Sequence, residues 1–217
     1  MRRFNAALFD MDGVLIDSTG YHYQAWKAVA DSMGFDFTEE DNERLKGVSR
    51  QRSLEIVLEV GGRQLSKTAK QRLLEDMNQD YLRYIQSMDE AHLLPGVRAC
   101  LQALRGRGVK VALGSSSKNA GVILDSLQIT AYFDAVIDAN KTRRTKPDPQ
   151  VFLLGAAALG MVPAECVVFE DAQAGIQAAK AAGMFAVGIG KPEVLSQADM
   201  VVAGLHQFDV DTLFFPL

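Results

Sequence analysis

The sequence has little cysteine, no excess of basic residues and no long apolar run. Its two cysteines, Cys100 and Cys166, lie in apolar surroundings and lack CxxC spacing. This pattern is typical of buried free thiols in a reducing compartment rather than of a disulfide or a metal pair. The 27 acidic and 23 basic residues give a formal net charge of -4, whereas nucleic-acid-binding proteins usually carry a basic field. Any anionic ligand must therefore be held by a local site.

Membrane-spanning and nucleotide-binding signals are also missing from the sequence. No segment approaches the roughly 20 apolar residues that are needed to cross a bilayer. Of the two glycine-rich stretches, "GGRQLSKT" lacks the glycine before Lys67 that a P-loop needs, and "GIGKPE" lacks a third glycine. We therefore expect a cytoplasmic, monomeric protein that acts on a small molecule, with neither a membrane nor a nucleic acid as partner.

From residue 95 onward, the sequence alternates between helical segments and short apolar strands. The strands are continuous apolar runs, as expected when helices cover both faces of a parallel sheet. They are predicted at 109–113, 135–137, 166–169 and 185–188. A first strand over 6–9 would join the same sheet. We therefore predict an α/β fold with a Rossmann-like parallel-sheet core formed by 1–16 and 92–217.

The residues between the first two strands have helical periodicity. Three-and-four spacing places an apolar stripe on the first of these helices, formed by Tyr23, Trp26, Ala30 and Met33. Cap and stop residues predict helices over about 21–33, from Thr38 to Gly47, from Ser49 to Gly61 and over about 66–87. Four helices joined by short polar turns predict an inserted helical-bundle cap domain over 17–91.

Unusual polar residues follow three of the predicted strands. Asp10-Met11-Asp12-Gly13 follows the first, "GSSSKN" from Gly114 follows the second, and Glu170-Asp171 follows 166–169. Lys146 lies just ahead of a helix whose start is marked by proline. Ligands of open parallel sheets bind beyond the carboxyl ends of the strands, so we expect these side chains to converge.

The convergent set suits phosphoryl transfer. Four carboxylates at one sheet edge would raise each other's pKa unless a cation lies among them, and oxygen ligands favour a hard ion such as Mg²⁺. Ser115 and Lys146 offer a hydroxyl donor and a positive charge that suit a phosphate group. One carboxylate can attack phosphorus while a second moves the proton of the leaving or entering hydroxyl.

Each of these signals also has a purely structural explanation when it is taken alone. An Asp-x-Asp pair is common in turns and caps, serine runs are common in loops, and Glu170-Asp171 could cap the next helix. Their order on separate strands of one sheet favours the chemical interpretation.

The stretches "DMDG", "GSS", "TKPDP" and "FEDAQAGIQAAKAAGM" resemble, in this order, the four motifs of the haloacid dehalogenase (HAD) superfamily. The resemblance covers nearly the whole chain and implies a HAD-like core whose helical cap closes over the site. By position, it implies that Asp10 is the nucleophile that becomes phosphorylated and that Asp12 is the acid/base. It also implies that Mg²⁺ is held by Asp10, the backbone carbonyl of Asp12 and Asp171, with Glu170 assisting. The transferring phosphoryl group would be bound by Ser115 and Lys146.

The stretches "YHYQAWKAVA", "NERLKGVSRQRSLE", "SSSKNA" and "EDAQAGI" resemble more narrowly the sugar-phosphate mutases of that superfamily. This resemblance implies interconversion of β-D-glucose 1-phosphate and glucose 6-phosphate. The reaction would pass through an aspartyl-phosphate enzyme and β-glucose 1,6-bisphosphate, which is both intermediate and activator. The implied ligand-binding residues are His22, Trp26, Lys46, Gly47, Val48, Ser49, Arg50 and Ser53 in the insert, and Ser116, Ser117, Lys118 and Asn119 in the core.

Two alternatives remain open at this point. Close mutases carry a lysine just before the asparagine that is Asn78 here, yet this chain has Met77, which puts substrate preference in doubt. Met77 bears on substrate preference or phosphate affinity more than on the type of reaction. The second hypothesis is a Mg²⁺-dependent sugar-phosphate phosphatase with the same core, which differs from a mutase in the acceptor. A non-catalytic sugar-phosphate or metal-binding module is the third, although intact Asp10 and Asp12 argue against it.

Overall fold

Six parallel strands form one sheet in the computed structural model, which describes residues 4–215. The strands are β1 (Ala6–Phe9), β2 (Lys110–Gly114), β3 (Ala135–Ile137), β4 (Cys166–Glu170), β5 (Phe185–Ile189) and β6 (Met200–Val202). Their order across the sheet is β3-β2-β1-β4-β5-β6. The predicted α/β class with a parallel sheet is confirmed. The extreme ends of the predicted core, 1–3 and 216–217, lie outside the described residues.

The helices follow the chain in two groups. Between β1 and β2 lie α1 (Thr19–Ser32), α2 (Glu39–Glu43), α3 (Arg50–Val60), α4 (Lys67–Gln86) and α5 (Val97–Gly106). After β2 come α6 (Ala120–Ser126), α7 (Gln150–Leu159), α8 (Gln173–Ala181) and α9 (Val210–Phe214). Within the described residues, none of these helices is both long and apolar enough to span a bilayer.

Alternate residues of the central strand pack on opposite faces of the sheet. Ala7 and Phe9 belong to one apolar cluster, and Ala6 and Leu8 belong to the other. Since side chains point to opposite faces along a strand, β1 is buried between two layers of helices. This explains why its sequence is continuously apolar rather than alternating.

The helical insert has its own apolar cluster, distinct from the two at the sheet. Trp26 is only 3% exposed within this cluster, and Tyr23, Ala30 and Met33 join it, which confirms the predicted stripe. Side chains of Ser49 and Ser66 cap α3 and α4 by accepting hydrogen bonds from backbone N–H groups. We call α1–α4 the cap; the domain limits 17–91 stay a prediction.

The short helix predicted to end at Gly47 instead ends at Glu43. Thr38 caps it as expected, but the next N–H groups bond to carbonyls three residues back and tighten the chain into turns. Gly47 lies beyond them with φ of +73°, and an added Cβ would lie 3.2 Å from that of Ala172. Its function is therefore to let the cap approach the core closely, and it does not end a helix.

The sequence did not predict β6. This strand has three half-buried residues and lies at the edge of the sheet next to β5. A short edge strand has neither the length nor the continuous burial that made the other strands visible.

Candidate active site

A cleft of about 1200 Å³ lies between the cap and the carboxyl ends of the strands. Strand β1 pairs with β2 on one side and β4 on the other, both in parallel, with Phe9 opposite Leu113 and Phe169. The residues that follow these three strands therefore meet at one point, as the sequence predicted.

Three carboxylates form a tight cluster at this point. One oxygen from each of Asp10, Glu170 and Asp171 lies within 4.8 Å of the others. Burial raises the pKa of Asp171. The negative charges of the neighbouring Glu170 and Asp10 raise this pKa further, and the positive charge of Lys46 opposes the rise. Ionisation of all three carboxylates in this buried position is therefore unfavourable unless positive charge lies among them.

Lys146 forms two buried ion pairs beside this cluster. Its Nζ donates to Asp10 Oδ1 at 2.7 Å and to Glu170 Oε1 at 2.8 Å. Burial lowers the pKa of Lys146, but the two carboxylates raise it more, so the net shift is upward. Burial nevertheless raises the pKa of Asp10 to about 7, since Lys146 offsets only part of that effect.

One lysine cannot balance three clustered carboxylates, and this charge deficit fits a divalent cation. The donor set consists of carboxylate oxygens, which are the ligands that Mg²⁺ prefers in proteins. Asp10, Glu170 and Asp171 could therefore hold such an ion. The Asp12 carboxylate is not part of the cluster of three.

Two glycines allow these carboxylates to lie where they do. A Cβ added to Gly13, whose φ is +74°, would overlap the Asp171 carboxylate. A Cβ added to Gly175 at the start of α8 would overlap the carboxylate of Glu170. Glu170 Oε2 also accepts a hydrogen bond from the Ala172 N–H at 3.0 Å, so it does cap the turn before α8 in addition to pairing with Lys146.

Asp12 has a different environment from Asp10. Its Oδ1 accepts a hydrogen bond from the Ser18 hydroxyl and lies 3.9 Å from His22 Nε2. Burial lowers the pKa of His22, the Asp12 carboxylate opposes this shift, and Arg50 adds to it, so the site favours the neutral ring. Asp12 is thus held at the entrance to the cap, where a proton carrier would face the cleft.

The serine loop after β2 joins the core to the cap. Ser115 is buried, and its Oγ accepts a hydrogen bond from the Ser117 N–H at 3.0 Å. Ser117 Oγ in turn accepts from the Asn119 N–H at 3.1 Å at the start of α6. Ser116 Oγ donates to the Gly47 carbonyl at 3.0 Å, which makes a direct contact between the loop and the cap.

Asn78 makes a second contact between the cap and the core. Its Oδ1 accepts from Arg50 Nη1 at 2.7 Å and from Asn119 Nδ2 at 3.0 Å. Arg50 and Asn119 are two of the predicted ligand-binding residues, and the structure brings them together through Asn78. Asn78 was not among the residues predicted from the sequence to join them. Its neighbour Met77 packs against the apolar cluster of the cap and also lines the cleft.

The other predicted ligand-binding residues also converge on this region. The cleft is lined by Asp10, Asp12, His22, Trp26, Lys46, Gly47, Val48, Ser49, Arg50, Ser53, Ser116, Ser117, Lys118, Asn119 and Asp171. Ser115, Lys146 and Glu170 are each at most 2% exposed and belong to the buried part of the site. The roles assigned to individual residues stay predictions.

Comparisons with known proteins agree with this arrangement. A family model described as a haloacid dehalogenase-like hydrolase matches residues 4–183. The chain is 44% identical to β-phosphoglucomutase of Bacillus subtilis, over 96% of this chain and 93% of that protein. It is 35% identical to a fructose-1-phosphate phosphatase of Escherichia coli, over 86% of this chain and 97% of that protein. The crystal structure of β-phosphoglucomutase from Clostridium difficile superimposes with a TM-score of 0.92 and 38% identity, over 96% and 95% of the two chains.

Proposed function

Because this chain belongs to the haloacid dehalogenase-like hydrolase family, we propose that it acts as a Mg²⁺-dependent β-phosphoglucomutase that interconverts β-D-glucose 1-phosphate and glucose 6-phosphate. The superfamily resemblance found in the sequence is confirmed by these matches. The observation that carries the proposal is the contact between cap and core through Arg50, Asn78 and Asn119, which line the same cleft as the nucleophile candidate Asp10. A mutase needs such a second anion site, because it must hold a bisphosphate by one phosphate while the other reacts.

The first half of the reaction transfers phosphate to Asp10. An oxygen of its carboxylate attacks phosphorus, a P–O bond to Asp10 forms, and the bond between phosphorus and the sugar oxygen breaks. Lys146 and Ser115 supply a positive charge and a hydroxyl donor at the buried end of the cleft, where the phosphoryl oxygens gain charge. When bound to the three carboxylates, Mg²⁺ would neutralise charge on the phosphoryl oxygens.

Asp12 moves the proton in both halves of the reaction. It donates the proton to the sugar oxygen that leaves and accepts one from the sugar hydroxyl that next attacks the aspartyl phosphate. Ser18 and His22 hold its carboxylate away from the cluster of three. The two carboxylates of "DMDG" thus have separate tasks because they have separate surroundings.

Cap closure favours transfer to a sugar over hydrolysis. The contacts of Gly47 with Ser116 and of Asn78 with Asn119 hold the cap against the core beside the cleft that Asp10 lines. Exclusion of water lets a sugar hydroxyl reach the aspartyl phosphate first. In this proposal β-glucose 1,6-bisphosphate is intermediate and activator, and the protein is a cytoplasmic monomer whose ligand is a small sugar phosphate.

Phosphorus NMR tests the proposal. The protein is incubated with Mg²⁺, β-glucose 1-phosphate and a trace of β-glucose 1,6-bisphosphate, and the products are followed over time. We expect glucose 6-phosphate to accumulate with little inorganic phosphate. In the Asp10→Asn variant, the glucose 6-phosphate signal should not appear. Release of inorganic phosphate without glucose 6-phosphate would instead support a phosphatase, the activity named for the Escherichia coli relative.

A further inference from the structure

Tyr81 has a buried hydroxyl that the protein leaves without a partner. The residue lies on α4 and is 1% exposed. Among the described residues, no atom forms a hydrogen bond with its hydroxyl oxygen. Buried polar groups are nearly always hydrogen-bonded, and one that is not is unfavourable for folding. The hydroxyl therefore needs an explanation beyond the packing of the ring, which phenylalanine would provide equally well.

The groups around Tyr81 are those of the proposed active site. Its ring centroid lies 5.0 Å from that of His22 and 5.1 Å from the Arg50 guanidinium carbon. Burial raises the pKa of Tyr81, the Asp12 carboxylate adds to the rise, and Arg50 opposes it. The phenol is therefore neutral at all physiological pH values and can donate a hydrogen bond. Tyr81 also lines the cleft.

The position of Tyr81 corresponds to the middle of the proposed ligand. In the proposed function, Asp12 serves the reacting end of a hexose bisphosphate and Arg50 serves the far phosphate. Tyr81 contacts Arg50 and also His22, which lies 3.9 Å from Asp12, so its ring lies between the groups that serve the two ends of the ligand. Neither Asp12 nor Arg50 forms a hydrogen bond with the Tyr81 hydroxyl in the structure, whereas a hexose offers several hydroxyl oxygens.

We propose that Tyr81 is a sugar-binding residue whose hydroxyl donates a hydrogen bond to a hydroxyl oxygen of the bound hexose phosphate. The proposal rests on the proposed function for the identity of the ligand. It assigns to α4 a role in recognising the sugar, in addition to the contact that Asn78 makes with Arg50.

The test compares Tyr81→Phe with Tyr84→Phe. Tyr84 lies one turn further along α4, stacks on Tyr21 at 4.3 Å and does not line the cleft, so its variant is a matched control. We expect Tyr81→Phe to lower kcat/KM for β-glucose 1-phosphate by about 10- to 100-fold, and Tyr84→Phe to change it less than about twofold. The loss in Tyr81→Phe should be larger for the hexose phosphate than for acetyl phosphate, which has no sugar.

Thermal unfolding separates binding from structure. Loss of an unpartnered hydroxyl should leave the melting temperature of Tyr81→Phe unchanged or raise it. Unchanged kcat/KM, or a lowered melting temperature with equal losses on both substrates, would overturn the proposal. If the unaltered protein does not convert β-glucose 1-phosphate, the proposed function fails separately. Calorimetry of glucose 6-phosphate binding then decides the role of Tyr81: weaker binding by Tyr81→Phe supports it, and equal binding overturns it.

Discussion

Asp10 and Asp12 are two residues apart, yet their carboxylates have different partners. Asp10 pairs with Lys146 in the buried cluster, whereas Asp12 accepts from Ser18 beside His22. Gly13, which has no Cβ, lets the chain turn in close contact with the Asp171 carboxylate, and both Asp10 and Asp12 line the cleft. Their chemistry is thus set by surroundings that the rest of the chain supplies.

The proposed acid/base role of Asp12 gives the first prediction. Asp12→Asn keeps the shape of the side chain but removes the proton carrier, so kcat for the mutase reaction should fall by about 10²- to 10⁴-fold. Steady-state kinetics with β-glucose 1-phosphate measure this loss. The control is Asp17→Asn, which makes the same change at an exposed residue that does not line the cleft. Similar losses in the two variants would show that Asp12 has no special role.

Alanine substitutions at Gly175 and Gly121 form a matched pair of variants for measuring the free energy of unfolding. A Cβ at Gly175 would overlap the buried Glu170 carboxylate, so Gly175→Ala should lower the free energy of unfolding by about 1–3 kcal/mol. A Cβ at Gly121 in α6 meets nothing within 4 Å, so Gly121→Ala should raise it by about 0.4–1 kcal/mol. Urea unfolding measures both. Equal effects would contradict the close approach of Gly175 to Glu170.

At the scale of elements, α4 connects the cap to the core. It carries Asn78, whose side chain joins Arg50 of α3 to Asn119 at the start of α6. Packing between α4 and α6 alone would not orient the two donors, because arginine and asparagine side chains have many rotamers. The shared oxygen of Asn78 holds both in one place before a ligand arrives, which reduces the entropy lost on binding.

Loss of this connection should shift the protein from transfer toward hydrolysis. We expect Asn78→Ala to lower kcat/KM for β-glucose 1-phosphate by about tenfold, since it removes a hydrogen bond to a charged group. Because the cap would close less tightly, the ratio of inorganic phosphate to glucose 6-phosphate should rise. Phosphorus NMR measures both products. The control is Asp76→Ala, at an exposed position on the same helix. An unchanged product ratio in Asn78→Ala would contradict the role of Asn78 in holding the cap to the core.

At the scale of the whole molecule, the sequence predicted the elements that repeat a simple pattern. The buried strands and the stripe containing Trp26 were predictable because their burial is continuous or periodic. The convergence of Asp10, Ser115 and Glu170 was predictable because parallel strands end at one edge. The sequence did not predict β6, the turn at Gly47 or the contacts of Asn78. These depend on tertiary contacts between residues far apart in the chain, which no local pattern records.

The buried carboxylates make the stability of the whole protein depend on pH and on Mg²⁺. Burial raises the pKa values of Asp10, to about 7, and of Asp171 above those of the unfolded chain. Without a cation, the folded state therefore binds more protons than the unfolded state between a pH of about 4 and about 7. Asp10 accordingly favours folding below that window, and its contribution is lost as the pH rises through it; the raised pKa of Asp171 acts in the same direction.

Mg²⁺ should reverse this loss, because it binds the ionised carboxylates. The increase in melting temperature on adding Mg²⁺ should be larger at a pH of about 8 than at about 5, where protons compete with the ion. At 100 times its dissociation constant, an ion stabilises the fold by about 2.7 kcal/mol. Thermal unfolding with Mg²⁺ or EDTA at both pH values measures the difference.

Asp171→Asn should abolish most of the Mg²⁺-dependent shift in melting temperature. Asp125→Asn, at a residue outside the cluster, should retain this shift. An equal Mg²⁺ shift at both pH values would mean that the ion binds elsewhere.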